Sequence, residues 1–354
     1  MIIAIPREIR RLEGRVGLIP AAAGQLVTQG HEVLVEQGAG VLSGYADDAY
    51  RAAGAILVKN AAEAYGRAEM IVKVKEPQPE EVALLREGQL LFSYLHLAAE
   101  PELMRSLQKS GATAVAFETV ETDQHQLPLL APMSDIAGRV AVQVGTHLLH
   151  QPQSGRGILL GGVPAAERGR VVVLGAGVAG GNAALLAAAM GAEVTVFDLN
   201  RDKLAQMRAL GGNVTGLHPY PDALHEAALH ADLLIGAVLV TGERAPHLVG
   251  ADTVAGMREG SVIIDISVDQ GGCIETTRPT DYSNPTFMVD GVIHFGVTNM
   301  PGAVPRTASQ ALSAALTPYI SRLAQEDWQQ NPALVRGINV QNGEVVHPAL
   351  KRVT

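Results

Sequence analysis

The chain has 354 residues, more than a single hydrophobic core usually serves, so two domains are expected, and with 47% apolar residues it can bury both. A formal net charge of -9 with no run of Lys and Arg excludes a nucleic-acid surface and leaves small molecules and copies of the chain itself as partners. The one cysteine, Cys273, excludes an internal disulfide and a cysteine-based zinc site and fits a reducing compartment. MIIAIPREIR carries charges where a signal peptide needs its apolar stretch, and no apolar run reaches membrane-spanning length. A cytoplasmic protein with no membrane partner is the expectation.

In chain order, Met1 to Ile5 reads as an opening strand, Ala21 to Gln29 as a helix, and Glu32 to Glu36 as a second strand. Met70 to Val74, Leu90 to Tyr94 and Ala114 to Glu118 are further apolar strands, with a helix at Pro101 to Lys109. LPLLAPMSD reads as a proline-broken crossing into a long helix from about Ile136 to His150. Next comes VVVLGAGVAGGNAALLAAAMGAEVTVFD, from Val171 to Asp198. It opens on the apolar run Val171 to Leu174, typical of a strand buried on both faces of a parallel sheet, and continues as Gly175-x-Gly177-x-x-Gly180. The first glycine permits a tight turn, the second lets backbone approach a pyrophosphate, and the third lets the following helix pack on the strand. That helix would aim its N-terminal N–H groups at the phosphates. The second strand, Glu193 to Phe197, ends in Asp198, whose carboxylate suits ribose hydroxyls and repels a 2′-phosphate, so the cofactor expected is NAD.

Two more buried strands follow, Leu233 to Ala237 and Val262 to Ile266. The chain then turns through Pro301 and Pro305 into a helical stretch, Ala308 to Gln329, with Pro318 as its start or a kink. The fold class is therefore α/β with two Rossmann-like domains. Residues 1–128 and 305–354 form a discontinuous substrate domain, and 129–304 an inserted, doubly wound NAD domain. A substrate is expected in the cleft between them.

A nicotinamide enzyme acting on a small oxo or amino acid needs a cation for the carboxylate, a proton donor and acceptor, and a dry place for hydride transfer. Lys75, after the strand MIVKV, and His96, after LLFSY, both lie where open α/β sheets place ligands. Arg15 is a carboxylate candidate, with Arg7, Arg10 and Arg11 competing; spacing does not separate them. Asp265 and Asp269 bracket the end of a buried strand, and Asp269 stands ahead of two glycines in a tight loop, where an aspartate commonly serves only the turn. Asn299, in Thr298-Asn299-Met300-Pro301-Gly302, brings an amide to the domain junction.

Together the segments PREIRRLEGRVGLIP, GHEVLVEQGAG, IVKVKEP, YLHLAAEPEL, LPLLAPMSDIAGRVAVQ, ILLGGVPAAERGRVVVLGAG, DISVDQGGCIETTRPT and NMPGAVPRTASQAL resemble the alanine dehydrogenases, in one order along nearly the whole chain. The resemblance implies reversible oxidative deamination of L-alanine to pyruvate and ammonium with NAD, in a homohexamer. Position by position it implies that Arg15 and Lys75 bind the substrate, that His96 is the acid and base through the carbinolamine step, and that Asp269 activates water or assists ammonia transfer. For NAD it selects Ser134, Gly175, Gly177, Val178, Ala179, Gly180, Asp198, Lys203, Leu239, the strand end Ile266, Ser267, Val268 and Asp269, then Arg278 and the run Val297, Thr298, Asn299 and Met300. Read locally, Ser134 is an N-cap of the helix that follows. Where some relatives hold a divalent ion in a C-terminal helix, this chain reads YISRLAQEDW, so no metal is expected. The related nucleotide-binding subunit of transhydrogenase is the alternative; Arg15, Lys75, His96 and Asp269 together favour the dehydrogenase.

Overall fold

The computed structural model describes residues 1–238 and 245–352. By internal contacts it divides into two compact units: Met1–Met133 together with the chain from Val304 onward, and Ser134–Ala303.

The first unit contains strands β1 (Ile2–Ile5), β2 (Glu32–Glu36), β3 (Ile56–Val58), β4 (Met70–Val72), β5 (Leu90–Ser93) and β6 (Thr113–Ala116), with β14 (Ile338–Gln341) and β15 (Glu344–Val345) returning from the end of the chain. They form one sheet in the order β15-β14-β6-β5-β4-β1-β2-β3. The first six strands pair in parallel, and β14 and β15 close the edge antiparallel. Register puts Leu34, Ala4, Ile71, Leu91, Ala114 and Val340 in a single row across the sheet. All six belong to one core with Tyr65, Met104 and Leu107, which is why these strands read as unbroken apolar runs rather than alternating ones. From β1 the chain winds outward to β3, then returns to β4 on the other flank of β1 and winds to β6. The order therefore reverses between β1 and β4, and helices leaving these two strands diverge to leave a crevice at their carboxyl ends.

The second unit repeats this plan. Strands β7 (Arg170–Leu174), β8 (Glu193–Phe197), β9 (Val214–Leu217), β10 (Leu233–Gly236), β11 (Val262–Asp265), β12 (Thr286–Val289) and β13 (Val292–Phe295) are ordered β12-β13-β11-β10-β7-β8-β9. All pairs are parallel except the β12–β13 hairpin, and here the order reverses between β7 and β10. Both units are doubly wound and Rossmann-like.

Several boundaries differ from the sequence expectation. The long helix is Ala131–Leu148, beginning five residues before Ile136, because Pro132 falls in its first turn, where no intrahelical N–H is needed. Ser134 is consequently inside that helix and not its N-cap. The strand expected to reach Glu118 stops at Ala116, and Phe117–Thr119 is a 3-10 turn. That turn buries the Phe117 ring edge-on against Phe92, 4.5 Å between centroids. The late helix is Pro305–Leu323: it starts on Pro305, carries Pro318 internally and ends six residues before Gln329. There Arg322 turns to the side chain and carbonyl of Asp327, and the chain passes into a 3-10 turn at Trp328–Gln330. The antiparallel edge β14–β15 had no counterpart in the sequence reading.

Candidate active site

In the second unit Gly175–Gly180 follow β7, Asp198 and Lys203 follow β8, Ile266–Asp269 follow β11 and Val297–Met300 follow β13, each beyond the carboxyl end of its strand. Gly175 leaves β7 at φ +94°, in the left-handed region, and a Cβ there would lie 2.7 Å from the Ala237 carbonyl oxygen after β10, so the turn is made at the switch point itself. At Gly180 a Cβ would stand 1.8 Å from the Gly175 oxygen, which makes this glycine the contact between helix Val178–Ala189 and its strand. Gly177 differs from both: its φ is an ordinary -72° and a Cβ there meets no atom of the described residues within 4 Å. Among the described residues nothing requires glycine at 177, whereas a pyrophosphate lying against the backbone would. Exposed Val178 and half-buried Ala179 open the helix beside it.

Asp198 stands at the end of β8. One carboxylate oxygen accepts the Ala176 N–H of the glycine turn at 2.7 Å and the other accepts Asn200 N–H at 2.7 Å. The carboxylate is thus fixed in direction, with further lone pairs for ribose hydroxyls. Asn200 caps helix Arg201–Arg208 through Asp202 and Lys203 N–H, placing exposed Lys203 in its first turn. Gly138 of the long helix lies so close to the start of helix Val178–Ala189 that a Cβ would meet Ala179 O at 2.1 Å. Ser134, four residues earlier, shares that helix face.

At the end of β11, Ile266 and buried Ser267 and Val268 lead into a 3-10 turn, Val268–Gln270, with Asp269 exposed. Gly271 and Gly272 both adopt positive φ, as the loop reading required. Asp265 is fully buried and acts as the knot of this loop: it accepts N–H groups from Ser267 (3.0 Å), Cys273 (2.9 Å) and Ile274 (3.3 Å) and the Thr277 hydroxyl (2.9 Å). Burial pushes its carboxyl above the usual range, and these four donors pull the other way. Beyond the neighbouring β13, Val297 bridges to Thr280, Thr298 is exposed, and Tyr282 donates to the Met300 carbonyl at 2.8 Å, holding the Asn299 loop. Arg278 is exposed, with its guanidinium 4.4 Å over the Phe287 ring. Leu239, the remaining selected residue, lies outside the described residues.

In the first unit, Arg15 follows β1, Lys75 follows β4 and His96 follows β5, so two of the three flank the β1–β4 switch point. Burial separates the competing arginines: Arg7, Arg10 and Arg11 are exposed and Arg15 is buried. Glu13 takes Arg15 in a two-pronged pair, Nε at 2.7 Å and Nη2 at 2.6 Å. Desolvation would discharge this guanidinium, but Glu13 outweighs it and holds it cationic. Lys75 is half-buried, its Nζ 3.7 Å from Glu76, which also pairs with Arg10. His96 sits at φ +50°, uncommon for a residue with a side chain, and is kept there by the Glu118 carboxylate, which accepts the His96 N–H at 2.7 Å and the Leu95 N–H at 3.2 Å. Its ring stacks on Tyr94 at 5.8 Å and 4°, and the Tyr94 hydroxyl donates to the Leu129 carbonyl at 2.6 Å. A cavity of about 330 Å³ reaches Arg15, lined also by Arg7, Glu8, Glu13 and Leu42.

Sequence reasoning missed Glu13, Glu118, Tyr94 and the pair Glu8 and Lys73. For Lys73 a signal existed: a lysine inside an apolar strand run demands a buried partner. Among the described residues, no group of three or more His, Cys, Asp or Glu is arranged to hold a metal, and no helix is long and apolar enough to cross a membrane.

Two doubly wound units, one with a glycine turn and a strand-end aspartate at its switch point and one with Arg15, Lys75 and His96 after its strands, are the architecture of two-unit α/β dehydrogenases. The chain belongs to the alanine dehydrogenase/PNT family: the N-terminal domain model of that family matches residues 4–137 and its C-terminal domain model residues 141–348. It is 48% identical to an alanine dehydrogenase of Halomonas elongata, over 99% of this chain and 96% of the relative, and 47% identical to those of Bacillus subtilis (99% and 94%) and Mycobacterium tuberculosis (98% and 95%). A solved L-alanine dehydrogenase superposes with a TM-score of 0.96 at 50% identity, covering 100% of this chain and 99% of that one. A transhydrogenase from Sinorhizobium meliloti superposes at 0.85 with 26% identity, covering 99% and 100%.

Proposed function

We infer that this chain is an alanine dehydrogenase, an oxidoreductase that deaminates L-alanine reversibly to pyruvate and ammonium. The observation that carries the reading is its likeness to curated alanine dehydrogenases from end to end, at nearly half of all positions. The cofactor is a nicotinamide dinucleotide, and we propose NAD on the ground that Asp198, held beside the glycine turn by the Ala176 N–H, has a carboxylate that suits ribose hydroxyls and repels a 2′-phosphate. Bound nicotinamide supplies the hydride acceptor and donor.

In the proposed mechanism Arg15 holds the substrate carboxylate, sharing its guanidinium between Glu13 and the ligand, and Lys75 holds the carboxylate or carbonyl side of the same ligand. The His96 imidazole moves a proton to and from the substrate oxygen as ammonia adds to the carbonyl and water leaves. An imidazole ring can give up or take up a proton, so one group serves both directions. Glu118, by fixing the His96 backbone, and Tyr94, by stacking on its ring, set where that proton is delivered. Asp269 activates water or assists ammonia transfer. Ser134, Lys203, Arg278 and the Ile266–Asp269 and Val297–Met300 segments are proposed cofactor contacts. The enzyme is proposed to be cytoplasmic and to assemble as a homohexamer, which sedimentation velocity tests.

NADH oxidation followed at its absorbance with pyruvate and ammonium, beside 2-oxoglutarate and beside NADPH, tests the reading. Oxidation that requires ammonium and prefers pyruvate and NADH supports it. Absence of ammonium-dependent oxidation by protein that binds NADH would replace it with the transhydrogenase-like alternative.

A further inference from the structure

The ladder between β1 and β4 is short: Ile3 faces Met70 and Ala4 faces Ile71, and there the register ends. Beyond it the two loops that carry Arg15 and Lys75 separate, as they must at a switch point. Two side chains of the loop after β1 span the gap: Arg10, which pairs with Glu76, and Glu8, which reaches the backbone. Glu8, from the loop after β1, accepts the Val74 N–H at 2.6 Å through one carboxylate oxygen and the Lys75 N–H at 3.4 Å through the other. The second oxygen also takes the Lys73 ammonium at 3.2 Å.

Lys73 is completely buried, and its ammonium reaches Glu81 at 3.0 Å as well. Burial alone would discharge it, but two carboxylates hold it charged. Two carboxylates on one ammonium leave surplus negative charge, and burial pushes the Glu8 carboxyl upward accordingly. Such an arrangement is costly to bury and strongly directional, which suits a clamp better than a source of stability. Glu81 anchors the far side, accepting Gln78 N–H at 2.8 Å, and makes no bond to the Val74–Lys75 backbone.

We propose that Glu8, locked by Lys73, is a positioning residue that places Lys75 for the substrate. The inference rests on the role proposed for Lys75. Glu8→Gln tests it: the amide has one acceptor oxygen where the carboxylate has two, and turns its donors toward other donors. Pyruvate KM is expected to rise about tenfold, the scale of one charge-assisted hydrogen bond. The NADH dissociation constant, read by fluorescence titration, should be unchanged. Glu81→Gln removes an equal buried charge from Lys73 without touching the Lys75 backbone and should leave pyruvate KM within about twofold. Should Glu8→Gln fail to fold, Glu8→Asp retains the charge but withdraws the carboxylate by one methylene, and the same rise in KM is expected. Equal KM shifts in the Glu8 and Glu81 variants, or no shift in a folded Glu8 variant, overturn the proposal. Lys75→Ala measured alongside separates the two ideas: an unchanged KM there removes the role of Lys75 itself, whereas a raised KM there with none in Glu8→Gln removes only the clamp.

Discussion

Gly177 and Gly180 differ by three positions and one turn of helix, yet a methyl group should act on them in opposite ways. At Gly177 the new Cβ meets no atom of the described residues within 4 Å and φ is already -72°, so the folded state accommodates alanine freely. The unfolded chain loses freedom, so stability should stay level or rise by up to about 1 kcal/mol. At Gly180 the Cβ would overlap the Gly175 oxygen at 1.8 Å and press the Val173 Cγ1 at 3.2 Å, an overpacking that costs about 1–3 kcal/mol or more. A pyrophosphate over Gly177 reverses the order for binding: a methyl that must displace it by a similar overlap costs about 1–3 kcal/mol, or a rise of roughly five- to 150-fold in Kd. Gly177→Ala should therefore melt with or above the parent protein and bind NADH weakly, whereas Gly180→Ala should melt lower. Differential scanning fluorimetry and NADH fluorescence titration read the two quantities separately. Parental NADH affinity in Gly177→Ala, or a loss of stability as large as that of Gly180→Ala, would refute the assignment of the open space above Gly177 to the phosphates.

Three further outcomes are expected. His96→Ala should keep its NADH affinity and lose about 10²- to 10⁴-fold in kcat, the usual contribution of a positioned acid and base; turnover at the parental rate would remove His96 from the mechanism. Asp198→Asn keeps an acceptor for the Ala176 N–H while removing the charge, and the preference for NADH over NADPH should narrow at least about tenfold, with an unchanged ratio of kcat/KM counting against the carboxylate as selector. Burial holds His294 and His347 below their ordinary pKa. Between those depressed values and the unfolded pKa of about 6.5 the unfolded chain binds more protons, so stability is full above that pH and is lost as pH falls through it toward the folded values. The thermal midpoint should decline from pH 7.5 to 5.5, and His294→Gln should flatten the decline; a parallel slope in the variant would show that His294 is not among its causes.

Periodicity and turn chemistry are local, and what depends on them was legible in the chain. The run Val171 to Leu174, the glycine turn and Asp198 each follow from residues adjacent in sequence, and so did the strands ending before Lys75 and His96. Whole-chain resemblance then supplied what local rules lack, including the choice of Arg15 over Arg7, Arg10 and Arg11. Only the tertiary structure gives that choice a physical reason: Arg15 alone of the four is buried, and it is buried because Glu13 meets it on both prongs. Strand order was equally out of reach. No local signal states that β4 returns beside β1, that β14 pairs with β6 across more than 200 residues, or that Glu8 reaches the amides of Val74 and Lys75. These are contacts between segments distant in the chain, decided when strands with interchangeable apolar faces choose neighbours by packing and by burial of the few charges among them. The sequence alone determines that two α/β units form and which residues after their strands are candidates for a ligand; the tertiary structure decides the strand order and which charged side chains the switch points bring together.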